Sequence, residues 1–388
     1  MKLKSIASHI LRAPLGREKF YSSQAAFPER NSYLVRVETD TGLVGWGEGG
    51  QYGPSQPVAA CVDAVLAPRL LGRDPTEPIR IWEELYAFSR DFGQKGTYIE
   101  AISALDIALW DISGQAAGLP VWKLLGGRFR DSVTAYATGC YYPDDFHDIP
   151  AMLRALEKEA STYADAGFEF LKIKVGLLRL ADDIERLRVI RKAVGPRIGL
   201  LVDANHAYNA ASAVRMGRLM EPHQVEFFEE PVPPEDRDGY RKVRRENPIA
   251  VAGGECEFTR YGFRDLIGGG CIDIAQPDLC AAGGFSGWLD IMALAKSHGV
   301  ATIPHVWGSG VAVAAALHAV ATIPPFPHTA NPLPLLNEPV IEFDRKHNPL
   351  RDDLLKEPFT LTDGRLAVPD RPGLGITVRD DILARYSR

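Results

Sequence analysis

From Ser132 to about residue 345 the chain alternates short apolar runs with segments whose apolar residues recur every three or four positions. SVTAYATG, FEFLKIKV, IGLLVDAN and VEFFEE have the length of buried strands, and LADDIERLRVIRKAVG and AASAVRMGRLM have helical spacing. Strands alternating with helices predict a parallel sheet. The predicted strands end near residues 139, 174, 203, 229, 255, 278, 305 and 342, and eight such units close a (β/α)8 barrel. The Pro-rich stretch 323–339 enlarges the last interval and is expected to replace or extend a helix.

The flanks have a different rhythm. Ser32 to Glu48 predicts two alternating strands around Asp40-Thr41-Gly42. Helical spacing follows over 57–71, 76–92 and 99–118, the last stopped by Gly118-Leu119-Pro120. The expected organisation is an α+β capping unit over 1–125, a barrel over 126–345, and a tail over 346–388 that packs back on the capping unit. The fold class is thus α/β, a TIM-like barrel with a capping domain.

Seven of the strand ends carry a charged or imidazole group: Lys174, Asp203, Glu229, Glu255, Asp278, His305 and Glu342. The C-terminal ends of barrel strands converge on one mouth, where active sites form. Alternation puts Lys172 and Lys174 on one face, against the apolar run expected of a buried parallel strand. They need counter-charges, and Asp203, Glu229 and Glu255 on the next three strands supply them. Glu229 is taken as inward rather than Glu230 because it shares a face with Val225 and Phe227. Three crowded carboxylates repel one another unless a cation lies between them, and an all-oxygen set suits Mg²⁺. Asp278 and His305 end neighbouring strands, where the carboxylate can fix the imidazole tautomer and raise its pKa. A Lys, a metal cage and an Asp–His pair in that order suit removal of a proton from the carbon beside a carboxylate. Lys172 and the metal are expected to lower the Lys174 pKa.

Composition narrows the partners. The 388 residues are 46% apolar and 24% charged with a net charge of −6, which disfavours nucleic acid. No stretch approaches a membrane span, and MKLKSIASHILRAPLG has no continuous apolar region of a signal peptide. Five cysteines without a C-x-x-C pair are expected as free thiols in a reducing cytoplasm. No G-x-G-x-x-G follows a strand to open a helix, which disfavours a dinucleotide enzyme.

The strings GLVGWGE, SALDIALWDISGQAAGLPVWKLLGG, LKIKVG, DAN, FEEP, GGE, QPD and PHVWG resemble the mandelate racemase subgroup of the enolase superfamily along nearly the whole chain. The resemblance implies Lys174 and His305 as acid/base catalysts, Asp278 as the residue orienting His305, and Asp203, Glu229 and Glu255 as Mg²⁺ ligands. It implies that Lys172 and Glu342 assist at the substrate carboxylate and that Asn205 touches a substrate hydroxyl. Specificity loops would fall near Tyr21–Pro28 and Gly49–Tyr52, making Tyr21 and Tyr52 substrate-binding candidates. It implies a homo-oligomer, often an octamer, acting on a small-molecule acid sugar or lactone. DANHAY, FFEEPVPPE and PDRPGLGI resemble the sugar-acid dehydratases and lactone cycloisomerases of that subgroup. The expected chemistry is α-proton abstraction followed by β-elimination, with racemisation or epimerisation as the alternative. A Schiff-base aldolase using Lys174 and a non-catalytic sugar-acid binder are the readings from other classes.

Overall fold

The structure is a computed structural model that describes residues 1–50 and 53–387. Three antiparallel strands, β1 (Leu3–Pro14), β2 (Glu29–Thr39) and β3 (Val44–Gly49), open the chain in the order β1-β2-β3. The β2–β3 turn is the expected one, with Gly42 at φ 85° where a side chain would be strained. β1 was not anticipated, because its residues alternate only weakly in polarity. Its register along β2 from Leu3 to Pro14 supplies the pairing that the pattern did not.

The helix Thr97–Ala117 lies directly on this sheet. Gly45, Gly47 and Gly49 make the approach possible, since a Cβ there would sit 2.3, 1.8 and 2.3 Å from the carbonyl oxygens of Ala108, Ala104 and Glu100. Residues of opposite parity, Trp46 and Glu48, point away from that helix. Glu48 accepts hydrogen bonds from Ser309 N (2.9 Å), Ser309 Oγ (2.6 Å) and Ala312 N (3.0 Å). These groups open the barrel helix Gly310–Ala321, so a carboxylate from the first unit sits at the N-terminus of a helix of the second.

Eight parallel strands follow among the described residues: β4 (Ser132–Gly139), β5 (Phe170–Lys174), β6 (Gly199–Asp203), β7 (Val225–Glu229), β8 (Ala250–Gly253), β9 (Ile274–Ala275), β10 (Ala301–Thr302) and β11 (Ile341–Asp344). They pair in the order β10-β9-β8-β7-β6-β5-β4-β11. One face of the sheet carries Tyr136, Leu201, Phe227, Ala252, Ile274 and Ile303, packed together. The other carries Ala137, Ile173, Val202 and Phe228 against the helices. The last strands are shorter than expected, and Glu255, Asp278 and His305 sit beyond their ladders in the loops that follow. Among the described residues no ladder joins β10 to β11. There the Glu342 carboxylate accepts the backbone N–H of Val306 at 3.1 Å, a side-chain link in place of a strand pair.

The Pro-rich stretch follows a complete helix, Gly310–Ala321, and so extends the connection. The tail divides its contacts. A short strand, β12 (Arg365–Ala367), pairs antiparallel with the start of β4. Further on, Leu374 N donates to Asp111 of the helix Thr97–Ala117 at 2.8 Å, and Ser387 bridges to Leu11 of β1.

Candidate active site

Strand register assembles the site. Lys174 of β5 lies beside Asp203 of β6, which lies beside Glu229 of β7. Asp203, Glu229 and Glu255 are all buried and bring carboxylate oxygens within 4.8 Å of one another. Lys174 Nζ is hydrogen-bonded to Asp203 Oδ2. Lys172 is fully buried, and its ammonium reaches Glu229 Oε1 at 2.8 Å, Glu342 Oε1 at 2.7 Å and Asp203 Oδ2 at 3.7 Å. Gln276 Nε2 donates to the second Glu229 oxygen at 2.7 Å, and Thr138 Oγ1 donates to Glu342.

At the other end, His305 Nδ1 donates to Asp278 Oδ2 at 2.7 Å. Asp278 is itself held by Cys280 N at 2.7 Å, as the N-cap of the short helix Leu279–Ala282. The second ring nitrogen, Nε2, faces Glu255 Oε2 at 3.5 Å and Glu342 Oε2 at 3.7 Å. Lys174 therefore flanks the triad at its Asp203 end, and His305 flanks it at its Glu255 end.

Electrostatics follows from this crowding. Burial and the Asp203 charge raise the Glu229 pKa, and burial with Glu230 nearby raises that of Glu255. Burial alone pushes the His305 imidazole down, but Glu255, Glu342 and Asp278 outweigh it and lift it to about 10. The lowering expected of Lys174 draws on the metal charge as well as on Lys172, and the protein groups by themselves balance the other way. Burial does press its ammonium toward neutrality, yet the adjoining Asp203 carboxylate, with Glu255 and Glu229 beyond it, makes the net shift upward.

The residues fit a divalent cation. The donors are three carboxylates with no nitrogen or sulfur among them, as hard cations require. Glu255 Oε2 is buried without completing a hydrogen bond. The raised Glu229 and Glu255 pKa values reflect a burial and like-charge cost that a shared cation relieves.

The more peripheral candidates fare differently. Asn205 joins the site, its backbone N–H donating to Asp203 Oδ1 at 2.8 Å and its Nδ2 lying 3.3 Å from Asp203 Oδ2. Tyr21 is not brought to the carboxylates: its hydroxyl donates to Asp144 at 2.8 Å. Tyr52 lies outside the described residues. Ser23, in the same loop as Tyr21 but not singled out from sequence, donates to the carbonyl oxygen of Ala204 at 2.6 Å and ties the loop to the strand tip holding Asp203. Gln276 and Thr138 were also missed. Gln276 stands two residues before Asp278, and a polar residue inside an otherwise apolar strand run was the available signal.

A buried Lys–carboxylate–His array at the mouth of a β/α barrel with an α+β cap defines an enolase-type enzyme. The chain belongs to the mandelate racemase/muconate lactonizing enzyme family of the enolase superfamily. Residues 17–126 match the model of the mandelate racemase/muconate lactonizing enzyme N-terminal domain, and residues 155–382 match that of the enolase C-terminal domain-like family. The chain is 42% identical to D-galactarolactone cycloisomerase of Agrobacterium fabrum, over 100% of this chain and 99% of that protein. It is 37% identical to arabinonate dehydratase of Saccharolobus solfataricus, over 91% of this chain and 89% of that protein. Its structure superposes with a TM-score of 0.87, at 29% identity and full coverage of both chains, on a racemase from Streptomyces coelicolor A3(2) with bound magnesium. The chain is an enzyme of this lyase and isomerase group, and among its described residues no helix is long and apolar enough to cross a membrane.

Proposed function

We propose that the enzyme abstracts the α-proton of a sugar-acid carboxylate or its lactone and then eliminates the β-oxygen, using Mg²⁺ held by Asp203, Glu229 and Glu255. The observation that carries this reading is the placement of Lys174 and His305 at the two ends of one carboxylate triad. Mg²⁺ bound by Asp203, Glu229 and Glu255 would supply positive charge to stabilise the negative charge an enediolate develops on its oxygens. Lys172 stands beside the same oxygens and adds to that stabilisation.

One of the two flanking groups takes the proton and the other delivers one to the departing oxygen. Asp278 holds the His305 tautomer so that Nε2 faces the reacting groups. In the structure Lys174 is cationic because Asp203 draws its proton tight. A cation held by Asp203 would offset that carboxylate's pull on the Lys174 proton, and burial would then favour the free amine that a base requires. Glu342, joined to Lys172 and to the Val306 N–H, keeps the ammonium oriented and closes the seam between β10 and β11.

If the leaving oxygen is a hydroxyl the reaction is dehydration, and if it is a lactone ring oxygen the result is ring opening or cycloisomerisation. The similarity to the Agrobacterium cycloisomerase along the full chain favours galactarolactone-like substrates. Two catalysts on either side of one triad also suit epimerisation, the second reading. Division at 125/126 and 345/346, a homo-oligomeric assembly and a cytoplasmic location belong to the same proposal. The test is a screen of acid sugars and their lactones with Mg²⁺ or EDTA, followed by NMR. A 2-keto-3-deoxy acid or cycloisomerised product formed only with the metal is expected. Turnover insensitive to EDTA with a borohydride-trapped adduct at Lys174 would instead establish the aldolase reading.

A further inference from the structure

The helix that follows the Lys174 strand differs from its neighbours. Leu180–Val194 buries Asp183, Arg186, Leu187 and Ile190. Asp183 and Arg186 are fully buried and pair at 3.0 Å. The helices Ile149–Asp165, Ala210–Met220, Arg237–Glu246, Thr259–Gly268 and Gly284–His298 bury only uncharged residues. A well-packed apolar pair of similar volume is often at least as stable as a buried ion pair. Nor is this pair fully compensated, since Arg186 Nε is buried without a hydrogen bond. Stability alone therefore gives no reason for charges at this position.

Their contacts do give one. The last register pair between β4 and β5 is Gly139 with Ile173. Beyond it, Arg186 Nη1 donates to the carbonyl oxygen of Lys174 at 2.6 Å, and Nη2 donates to that of Cys140 at 2.7 Å. The planar guanidinium thus bridges the two strand ends one residue past their ladder. Asp183 fixes the chain just after Lys174, where its Oδ2 accepts the N–H of Gly176 at 2.8 Å. Its Oδ1 accepts the Tyr142 hydroxyl at 2.6 Å, and that hydroxyl accepts the Leu177 N–H at 3.2 Å. The Tyr142 ring stacks on the guanidinium, its centroid 3.9 Å from Arg186 Cζ. The Tyr142 backbone exchanges hydrogen bonds of 2.9 and 3.1 Å with Tyr21. The backbone on and after Lys174 is therefore held by three side chains from outside the carboxylate triad.

We infer that Asp183, Arg186 and Tyr142 are positioning residues for the proposed proton transfer, an inference that rests on the reading of Lys174 as one of its two proton carriers. They act through Lys174. By fixing its backbone from β4 and from the following helix, they set how far its side chain reaches toward the substrate carbon. Proton transfer requires close approach of the reacting atoms, and a misplacement of about 1 Å costs on the order of 10²-fold in rate. His305 is held separately, by Asp278.

Steady-state kinetics of the Mg²⁺-loaded full-length enzyme tests this, on D-galactarolactone or the screened acid sugar that it turns over, with the urea midpoint of each variant measured alongside. Arg186→Lys keeps the charge but loses the fork that spans two carbonyls. Its kcat should fall about 10²-fold with KM within about twofold. Tyr142→Phe keeps the ring and the backbone bonds to Tyr21, and its kcat should fall about tenfold, again with KM little changed. Leu187→Ala, on the same buried face, is the control. It should lower the urea midpoint at least as far while kcat per folded enzyme stays at the wild-type value. A kcat loss in Leu187→Ala equal to that in Arg186→Lys would overturn the inference, because any loosening of the helix would then suffice. So would a loss confined to KM, or wild-type kcat in either variant beside an inactive Lys174→Ala, outcomes that leave Lys174 a catalyst. Activity in Lys174→Ala would instead remove the reading of Lys174, and the inference with it. Should Arg186→Lys fail to fold, Tyr142→Phe decides alone.

Discussion

Two groups of buried carboxylates in this molecule are held by different kinds of partner. In the mouth, Asp203, Glu229 and Glu342 face the ammonium groups of Lys172 and Lys174. Between the cap, barrel and tail, Glu48, Asp106 and Asp111 face neutral donors. Glu48 binds Ser32 as well as Ser309 and Ala312. Asp106 binds the backbone N–H (3.0 Å) and hydroxyl of Ser286, at the start of the helix Gly284–His298. Asp111 binds Trp46 N at 3.0 Å and Leu374 N at 2.8 Å. Burial raises Asp106 to about 7 and Asp111 to about 6, and Glu229 and Glu255 likewise upward, whereas Asp203 and Glu342, equally buried, are held below the usual carboxylate range by Lys174, Lys172 and His305. A perturbed pKa therefore does not single out the site. Neutral donors fix a carboxylate where the units join. In the mouth the partners are ammonium and imidazole groups that can themselves give up a proton.

The largest expected separation between the groups is in turnover. Lys174→Ala or His305→Asn should lower kcat by about 10³-fold or more while circular dichroism and the urea midpoint stay near wild type. Retained activity in either variant would break the distinction. Glu229→Gln should likewise abolish Mg²⁺-dependent activity, read as product formed across a Mg²⁺ titration. Glu48→Ala should instead show in a urea titration, costing about 3 kcal/mol by leaving the buried donors of Ser309 and Ala312 unsatisfied.

A pH prediction sharpens the structural side. His318 lies on the helix Gly310–Ala321, and its Nδ1 accepts the Trp122 N–H at 3.2 Å. Burial lowers its pKa to about 4. Between the ordinary histidine value of about 6.5 and about 4, the unfolded chain takes up a proton that the folded chain refuses. Stability should thus fall as pH drops through that window, by on the order of 3 kcal/mol in full. His318→Gln should flatten this slope in urea midpoints measured across the window. The smallest effect is expected at the loop. Ser23→Ala frees it from Ala204, which should raise KM a few-fold with kcat little changed.

The barrel and its reactive tips were legible because each βα unit repeats one spacing, and each repeat ends on a residue that a buried strand would not otherwise carry. The strand ends at Lys174, Asp203 and Glu229 fall where the apolar runs stop. Legibility declined where backbone pairing is short. β9 and β10 have two residues each, so Asp278 and His305 are held by loop geometry and by each other rather than by register. Gln276 and Thr138 escaped notice because they act through a neighbour's carboxylate, which spacing along the chain does not reveal. The cap was readable as α+β, but Glu48 as a clamp was not, since its partners lie 261 and 264 positions away.

The central claim is that Lys174 and His305 move a proton on the carbon beside a carboxylate. It is tested most directly with a turned-over acid sugar or lactone carrying deuterium at carbon 2. The account predicts that the label is lost to water in the product, with a primary isotope effect on kcat/KM, and that neither Lys174→Ala nor His305→Asn forms product. Product that retains the deuterium at carbon 2 would contradict it.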